Sequence, residues 1–404
     1  MNNCLKRLDE ICNITISSVD KKNRPNEKSV KLCNFTDVYY NWVIYPNTTK
    51  SFMKATTSEK NISLFSLKQG DVCITKDSET RNDIGMATYI AEKIENVVLG
   101  YHCALIRPKI GLNGAYLSLY LRSYLGRKYF ENQASGSGQR YTLAKESIGA
   151  IKINVPDISI QNSIADLFLN IDKKISINKL INDNLMELAK TLYQSWFVNY
   201  EPFGGIKPTD WIDGTINDLG NEIICGKTPP TQKAEYYGGN TPFITIPDMH
   251  DCVYNVSTER YLSAAGVASQ SKKSLPTNTV CVSCIGTAGL VTIVSEESQT
   301  NQQINSIVPK DGISPYYTYL LMKTLSETIN TLGQSGSTIV NLNKTEFGKI
   351  QVTIPSKHIM QKFNYLCGPL FEKIHSAQKE NKKLASLRDW LLPMLMTGQV
   401  TISD

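Results

Sequence analysis

The sequence predicts an α+β protein in which two mixed α/β domains are each followed by a long helix. Three observations support this fold class: the second half repeats the first, each half contains short apolar runs separated by turn residues, and each half ends in a long apolar stripe at helical spacing. The predicted boundaries are 1–155 for the first domain, 156–203 for the first helix, 204–355 for the second domain and 356–404 for the second helix.

The internal repeat is clearest when the sequence is shifted by 199 residues. Thirteen of the fifty positions from 143 to 192 are then identical without a gap, from the pair Leu143 and Leu342 to the pair Leu192 and Leu391. Upstream of about residue 110 the two halves align only with gaps, and their sequence similarity decreases toward the start of each half. The pattern indicates one scaffold used twice, with a divergent first part that carries a different specificity in each copy.

Two apolar stripes predict the long helices and their pairing. Their residues recur every three to four positions, at Ile164, Phe168, Ile171, Ile175, Ile181, Leu185, Leu188, Leu192 and Trp196, and at Phe363, Cys367, Leu370, Ile374, Ala377, Leu384, Leu387, Leu391 and Leu395. The stripes drift little over several heptads, which favours an antiparallel coiled-coil pair over two helices that each pack only on their own domain. Such a pair would hold the two domains at opposite ends.

Each helix should be about 35 residues long, or roughly 50 Å at 1.5 Å per residue. Asn178, Asn182 and Asn381 interrupt the apolar seam, and polar seam residues can set the register of a helix pair. Gly368-Pro369 should kink or restart the second helix.

Short apolar runs bounded by Gly, Asn, Pro and Ser predict strands in both domains. Clear examples are 71–75, 96–99, 279–282 and 290–294. Short helices are predicted at 116–132 and 316–330, so each domain mixes strands and helices.

Composition and charge set limits on the class of protein. The chain has 404 residues, of which 41% are hydrophobic and 20% are charged, as in ordinary globular proteins. No apolar run reaches the length of a membrane span, and the first residues lack the apolar centre of a signal peptide, so we expect a cytoplasmic protein without a membrane partner. The net charge of +6 mildly favours an acidic partner such as nucleic acid.

The cysteine pattern favours buried thiols over a metal site. The ten cysteines stand singly except for Cys281 and Cys284, which lie in a predicted strand. A zinc site would need a second pair at ligand spacing, and the chain has four histidines in all. We therefore expect no bound metal.

Candidate DNA-contacting residues fall in two groups. Two Gly/Ser-rich loops, 134–140 and 333–338, stand at equivalent places and could expose backbone N–H groups and hydroxyls to phosphates, although a flexible surface turn would look the same. The candidate residues in these loops, together with the lysines that follow them, are Ser137, Gln139, Arg140, Lys145, Ser335, Ser337, Thr338 and Lys344. The divergent parts add basic, aromatic and hydroxyl side chains, most of which would be merely solvated on any protein: Lys21, Arg24, Arg81, Lys227, Thr228, Tyr236 and Tyr237.

Catalytic motifs are missing from the sequence. Gly226-Lys227-Thr228 resembles the end of a phosphate-binding loop, but position 221, which needs glycine, holds Asn221, and the prolines that follow cannot open a helix. The dinucleotide, nucleophile-elbow and zinc-protease motifs do not occur, and the only Pro-Pro pair, Pro229-Pro230, is followed by Thr231 instead of the aromatic residue of an amino-methyltransferase motif. We expect a non-catalytic protein.

Over nearly its whole length the chain resembles the specificity subunits of type I restriction–modification enzymes. Residues 192–203 look like the segment that closes the central helix of that family, and residues 391–400 look like its C-terminal closure. Residues 226–229 and 237–244 look like the start of a common target-recognition domain. The family often has Glu-Gln after the proline that opens each helix, and here Gln161 and Gln361 follow Ile160 and Met360 instead of glutamate.

The resemblance implies that each domain recognises one half of a split asymmetric site in double-stranded DNA, with the helix pair as a ruler for the spacer. It further implies that two methyltransferase subunits, which bind S-adenosylmethionine, dock around the helices, and that restriction subunits can join. The chain itself would bind no cofactor. Two alternatives stay open on the residues alone: a DNA-modifying enzyme in its own right, and a tandem-domain scaffold that assembles proteins and ignores DNA.

Overall fold

The computed structural model describes residues 5–334 and 340–402. They form two compact units, of which the first takes the chain up to Asp172 together with the residues from Ser386 onward, and the second takes Lys173–Ala385. Each unit therefore contains the beginning of one long helix and the end of the other. In the described ranges, every helix falls short of the length and apolarity that a membrane span requires.

Short strands alternate with short helices in the first unit. The strands are β1 (Leu5–Arg7), β2 (Cys12–Ile16), β3 (Lys28–Cys33), β4 (Val43–Ile44), β5 (Met53–Thr57), β6 (Val72–Thr75), β7 (Asp77–Ser78), β8 (Ala87–Ile90), β9 (Val97–Leu99), β10 (Cys103–Pro108), β11 (Ser135–Ser137), β12 (Arg140–Thr142) and β13 (Lys152–Asn154). The helices are α1 (Leu8–Ile11), α2 (Phe35–Tyr40), α3 (Glu59–Phe65), α4 (Gly114–Arg122), α5 (Tyr124–Gln133), α6 (Lys145–Gly149) and the long α7 (Ile158–Tyr193).

The central sheet of the first unit has the strand order β2-β10-β6-β8-β4. Neighbouring strands are antiparallel, except that β4 runs parallel to β8. Every residue of β6 is buried, because helix α4 covers one face of the sheet and a separate apolar cluster covers the other. A smaller sheet, β5-β3-β9, has its own core around Leu32 and Phe65.

The second unit repeats this plan. Its strands are β14 (Ile212–Thr215), β15 (Gly220–Cys225), β16 (Tyr237–Ile244), β17 (Tyr254–Asn255), β18 (Arg260–Leu262), β19 (Val280–Ser283), β20 (Val291–Val294), β21 (Gln299–Thr300), β22 (Ile304–Pro309) and β23 (Gln351–Ile354). Its helices are α8 (Ala264–Ala268), α9 (Pro315–Thr324), α10 (Ser326–Gly333), α11 (Lys344–Gly348) and the long α12 (Lys357–Met396).

The central sheets of the two units have the same topology and the same register. The second has the order β15-β22-β19-β20-β17, and β17 again runs parallel to β20. Cys73 lies between Leu105 and Thr88, as Cys281 lies between Ser306 and Thr292. Residues of the two sheets can therefore be matched one by one, even where the sequences no longer align.

Gly85 and Gly289 mark a backbone turn that both units have between the matched strands. Their φ angles are +78° and +87°, in the left-handed region that favours glycine. A Cβ atom would stand 2.5 Å from the Phe130 ring at Gly85 and 2.2 Å from the Ser326 hydroxyl at Gly289. Both turns therefore require glycine for conformation and for space.

Several predicted helix features need correction. Helix α12 is continuous through Gly368-Pro369, so the predicted restart is wrong. The predicted helices 116–132 and 316–330 are each two helices, separated at Ser123 and at Leu325. Leu188 and Leu387, which were assigned to the apolar stripes, are 48% and 43% exposed and lie outside the buried seam.

Within the second unit the two long helices pack antiparallel, which confirms the predicted pair. The Asn178 amide donates to Glu380 Oε2 at 2.7 Å and to Asn381 Oδ1 at 2.9 Å. Farther along α7, just beyond its end, the Phe197 ring lies 4.8 Å from the ring of Phe363, near the start of α12. Residue numbers thus rise along one helix as they fall along the other.

The core of each unit is closed by the end of one helix and the start of the other. In the first unit Leu395 and Met396 are buried in the cluster that contains Phe168. In the second unit Phe197 packs against Trp211 and Tyr317, with ring centroids 5.6 and 4.8 Å apart. The two closure segments singled out in the sequence therefore have a packing role.

Gln161 ties the start of α7 to its domain. Its buried side chain accepts from the Asn113 backbone N–H at 2.9 Å and donates to the Pro156 carbonyl at 2.8 Å. The 199-residue shift places Met360 at this position, and Met360 is also buried, whereas Gln361 is exposed. Gln361 is therefore not the structural counterpart of Gln161.

Candidate functional site

A cleft of about 680 Å³ opens in the first unit where β6 leads into β7 and where β10 begins. We call it the first-unit cleft. Three of the predicted residues, Lys21, Gln139 and Arg140, lie on its wall. The other lining residues are Phe35, Thr36, Tyr39, Tyr40, Asp77, Ser78, Glu79, Thr80, Asp83, Tyr101 and His102.

Asp77 is the most buried charged group of this cleft, with 12% of its side chain exposed. Its carboxylate accepts from Lys76 Nζ at 2.8 Å, from Thr142 Oγ1 at 2.7 Å, and lies 2.7 Å from His102 Nδ1. Burial acts to raise the pKa of Asp77, but the hydrogen bonds from Lys76, His102 and Thr142 outweigh it and lower the pKa below its ordinary value. Asp77 is therefore an ionised group that orients its neighbours.

Aromatic side chains surround this carboxylate. The Tyr101 ring lies 3.6 Å from the His102 ring, and Tyr40 is 77% exposed. The Tyr39 hydroxyl donates to Asp83 Oδ1 at 2.5 Å, and this bond raises the pKa of Tyr39. The cleft thus combines donors, acceptors and aromatic faces, the groups that proteins use on base edges and sugar–phosphate backbones.

The other predicted residues of the first unit lie away from the cleft wall. The predicted loop 134–140 is a β-hairpin of β11 and β12, whose second strand pairs with β7, and Ser137 is exposed on it. Arg24 forms ion pairs with Asp20 at 2.5 Å and Glu27 at 3.6 Å, so its charge is already compensated.

Arg81 and Lys145 complete the predicted set of this unit. The Arg81 guanidinium lies 5.4 Å from the centroid of the Tyr141 ring, which is close enough for a cation–π contact. Lys145 is the exposed first residue of α6. Both stay candidates for DNA contact, next to the cleft in sequence but outside its lining.

The matched position in the second unit follows from backbone hydrogen bonds. The Lys76 N–H donates to the His102 carbonyl at 2.9 Å, and the Cys284 N–H donates to the Gln303 carbonyl at 2.8 Å. The Leu143 N–H donates to the Lys76 carbonyl at 2.8 Å, and the Leu342 N–H donates to the Cys284 carbonyl at 2.9 Å. The pair Gln302-Gln303 therefore replaces Tyr101-His102, and Ile285 replaces Asp77.

The side chains at this second site are neutral amides where the first site has charges. The Gln302 side chain is exposed and accepts from the Thr228 hydroxyl at 2.7 Å. Gln303 accepts from the Asn301 amide at 3.0 Å and donates to the Ile285 carbonyl at 3.4 Å. The same backbone thus presents two different hydrogen-bonding patterns in the two units.

The structure brings Thr228 to this second site and places Lys227 beside it, exposed, with its backbone N–H bound to the Thr300 carbonyl at 2.9 Å. Tyr236 lies farther along the chain, and Tyr237 begins β16. Lys233 donates to the Tyr236 hydroxyl at 3.1 Å, and the Tyr237 hydroxyl donates to the Pro229 carbonyl at 2.7 Å.

The remaining predictions of the second unit concern the segment before α11. Lys344 is the exposed first residue of α11 and matches Lys145. The predicted contacts Ser335, Ser337 and Thr338 lie outside the described residues.

Sequence reasoning missed the residues that the fold gathers at the two sites, namely Tyr39, Tyr40, Asp77, Tyr101, His102, Gln302 and Gln303. A signal was present. Both dipeptides precede strands that end in proline, at Pro108 and Pro309, but these prolines are 201 residues apart and fall outside the ungapped 199-residue register.

The cysteine pair lies in the second unit and is buried. Cys281 Sγ lies 3.4 Å from the Ser306 hydroxyl, and burial raises the pKa of the Cys281 thiol to about 12, so the thiol stays protonated. Across the described residues, no group of three His, Cys, Asp or Glu side chains is arranged to hold a metal ion.

Comparisons with known proteins agree with this architecture. The family profile described as "Type I restriction modification DNA specificity domain" matches residues 4–187 and 208–367. The chain is 32% identical, over 83% of its length and 87% of the relative's, to the type I restriction enzyme HindI specificity subunit of Haemophilus influenzae. It is 30% identical to the type I restriction enzyme MjaIX specificity subunit of Methanocaldococcus jannaschii over 184 residues, which are 45% of this chain and 42% of that one.

The fold also matches a solved structure, the S subunit of a type I restriction–modification system from M. genitalium. The TM-score is 0.65 at 14% identity, with 98% of this chain and 96% of that chain covered. At this identity the match concerns the fold alone. The family profile, which covers both repeats, and the relative aligned over most of both chains show that this chain belongs to the family of type I restriction–modification specificity subunits.

Proposed function

We propose that this chain binds double-stranded DNA and recognises the two halves of a split asymmetric site, one with each unit. The observation that carries the proposal is the pair of matched strand ends, which present Asp77 and His102 in one unit and Ile285 and Gln303 in the other. Base edges in the major groove differ in their order of donors and acceptors. Two different side-chain sets on one scaffold therefore favour two different half-sites.

Positive charge supplies the affinity that does not depend on sequence. Lys21 and Arg140 line the first-unit cleft, and Lys145 and Lys344 stand exposed at matched helix starts. Lysine and arginine release counterions when they neutralise phosphates, so binding should weaken steeply with salt. The proposed contacts thus divide into phosphate contacts, whose basic residues the sequence predicted, and base contacts at the strand ends, which it did not.

The chain directs partner subunits to the site and performs no chemistry itself. Two methyltransferase subunits, each with S-adenosylmethionine, dock around the long helices, and restriction subunits can join the complex. This part of the proposal is supported by the named relatives, which are specificity subunits of restriction enzymes, and by the lack of catalytic motifs in the sequence.

Methylation mapping tests the recognition step. The chain is produced with its partner methyltransferase subunits in a host without such a system, and methylated bases are mapped across the genome. We expect one bipartite motif for the wild type, a change in one half only for His102→Ala, and a change in the other half only for Gln303→Ala. Variants that alter both halves together, or neither half, contradict the assignment of one unit to each half-site.

Two controls address the alternatives. The purified chain alone should transfer no methyl group from S-adenosylmethionine to DNA, and transfer would identify it as an enzyme. Equal, weak binding to all duplexes in the presence of the methyltransferase subunits would identify it as a scaffold without DNA specificity.

A further inference from the structure

A second cavity of the first unit, of about 450 Å³, is lined by three arginines. Arg122 ends helix α4, Arg127 lies in α5, and Arg388 lies near the end of α12. We call this cavity the arginine pocket. Its wall also holds Asp389, whose carboxylate is 2.9 Å from the Arg388 guanidinium. The pocket thus gathers three positive charges and one negative charge.

The domain holds two of these guanidinium groups in place. Arg122 donates to the Ala87 carbonyl at 2.5 Å, and Arg127 donates to the Asn82 carbonyl at 2.7 Å and to the Ile84 carbonyl. A guanidinium has five N–H donors in a planar fork, so these bonds leave donor capacity for a ligand. The bonded carbonyls are neutral and do not compensate the charge.

The charges in the arginine pocket are costly to bring together. Burial lowers the pKa of Arg122 to about 10, and repulsion from Arg127 and Arg388 adds to the effect. Within residues 5–334 and 340–402, neither Arg122 nor Arg127 forms a salt bridge with a carboxylate. Bound anions relieve such repulsion, and a phosphate accepts two parallel N–H bonds from arginine.

The second unit has a basic pair at the matched place. Helix α9 follows β22 as α4 follows β10, and Lys323 near its end corresponds to Arg122. Burial and the nearby charge of Lys190, on α7, both lower the pKa of Lys323. Both units therefore place basic side chains between the domain helix and the end of a long helix, although Lys190 is also 3.6 Å from Glu187 Oε2. The repetition favours a shared ligand.

The position of the arginine pocket indicates which anion it takes. Tyr40 lines both this pocket and the first-unit cleft, so the two adjoin each other at this side chain. We propose that the arginine pocket binds a phosphate of the DNA backbone next to the bases that the first-unit cleft contacts. This inference rests on the proposed function. It assigns Arg122, Arg127 and Arg388 as phosphate contacts that hold the duplex in register.

Arg388→Gln is the most direct test, because Arg388 makes no hydrogen bond to the domain carbonyls that Arg122 and Arg127 hold. The matched control is Lys383→Gln, which removes the same charge from an exposed position of the same helix. Each variant is assembled with its methyltransferase subunits, and its affinity for cognate and for random duplexes is measured from low to high salt.

We expect Arg388→Gln to lower the affinity for both duplexes about ten-fold, because a charge-assisted hydrogen bond is lost. The slope of log K against log salt should fall by about 0.9, the contribution of one phosphate. Lys383→Gln should leave the slope unchanged, and Arg388→Lys should restore it. An unchanged slope for Arg388→Gln overturns the proposal.

Methylphosphonate substitution gives a second measurement, which changes the DNA instead of the protein. Single phosphates of the cognate duplex are neutralised one at a time. At one position the affinity of the wild-type complex should fall about ten-fold, whereas the affinity of the Arg388→Gln complex should fall no further. If no position behaves so, and Arg388→Gln instead fails to retain methyltransferase subunits, the pocket binds an acidic group of a partner protein and the proposal is wrong. Failure of the proposed function would look different, because the wild type would then show no preference for any sequence.

Discussion

The Nδ1 atom of His102 lies 2.7 Å from Oδ2 of Asp77. Because the carboxylate is ionised and can only accept, His102 must donate from Nδ1. In the neutral ring Nε2 is then an acceptor. While the ring is neutral, the buried charge of Asp77 therefore sets its tautomer and leaves Nε2 as a hydrogen-bond acceptor in the first-unit cleft.

An acceptor at this position should favour a base with an exposed amino group, which means adenine N6 or cytosine N4. We expect Asp77→Asn to relax the preference at one base pair of one half-site, because the carboxamide allows either tautomer of His102. The loss of discrimination should correspond to about 1–3 kcal/mol. Methylation mapping measures it, and His102→Ala should relax the same base pair; effects at different base pairs would contradict the pairing.

The same carboxylate should make stability depend on pH. Its folded pKa is below the unfolded value of about 3.9, so its contribution is fully present above that value and disappears as the pH falls through the folded pKa. As the pH falls below about 4, the wild type should lose more free energy of unfolding than Asp77→Asn does. Denaturant titrations across this range check the difference, and parallel curves for both proteins would refute it.

Asn178 should stabilise the helix pair of the second unit. It is buried, and its amide is bound to Glu380 and Asn381. We expect Asn178→Ala to lower the free energy of unfolding by about 1–3 kcal/mol, because buried partners lose their hydrogen bonds. The double variant Asn178→Leu, Asn381→Leu should recover much of this loss in calorimetry. Asn184→Ala, at an exposed position of the same helix, is the control and should change little.

The proposed ruler predicts a defined change of spacer. Residues 173–179 and 379–385 lie on the paired parts of the helices, where Lys174 and Asn178 both contact Glu380. Deleting both heptads preserves the repeat and shortens the pair by about 10 Å at 1.5 Å per residue. The preferred DNA spacer should shorten by about three base pairs at 3.4 Å each. A methylated motif with the original spacer would exclude the ruler.

Much of the fold could be predicted because its signals are local. The stripe from Ile164 to Trp196 has helical period, and the Leu143 to Leu192 segment repeats without a gap. The restart at Pro369 was wrong because packing of α12 overrides the local cost of proline in a helix. Leu188 was misplaced because spacing alone does not say which of two adjacent residues, Leu188 or Ala189, is buried.

The candidate site could be predicted only in part. Lys21 is more than a hundred residues away in the chain from Gln139 and Arg140. The fold brings all three to one cleft through the hairpin of β11 and β12 and the pairing of β12 with β7. Asp77 carries no motif that marks it, since an aspartate next to a lysine is ordinary on any surface. Its role depends on contacts with His102 and Thr142, which are distant in the chain.

The sequence by itself determined the repeat, the two long helices, the family and the division of each copy into a shared and a divergent part, because these rest on local periodicity and on identity between the copies. Only the tertiary structure decided that Tyr101-His102 and Gln302-Gln303 occupy one matched position, and that three arginines from α4, α5 and α12 line one pocket. Strand register and helix docking place such side chains, and both depend on contacts between residues far apart in the chain.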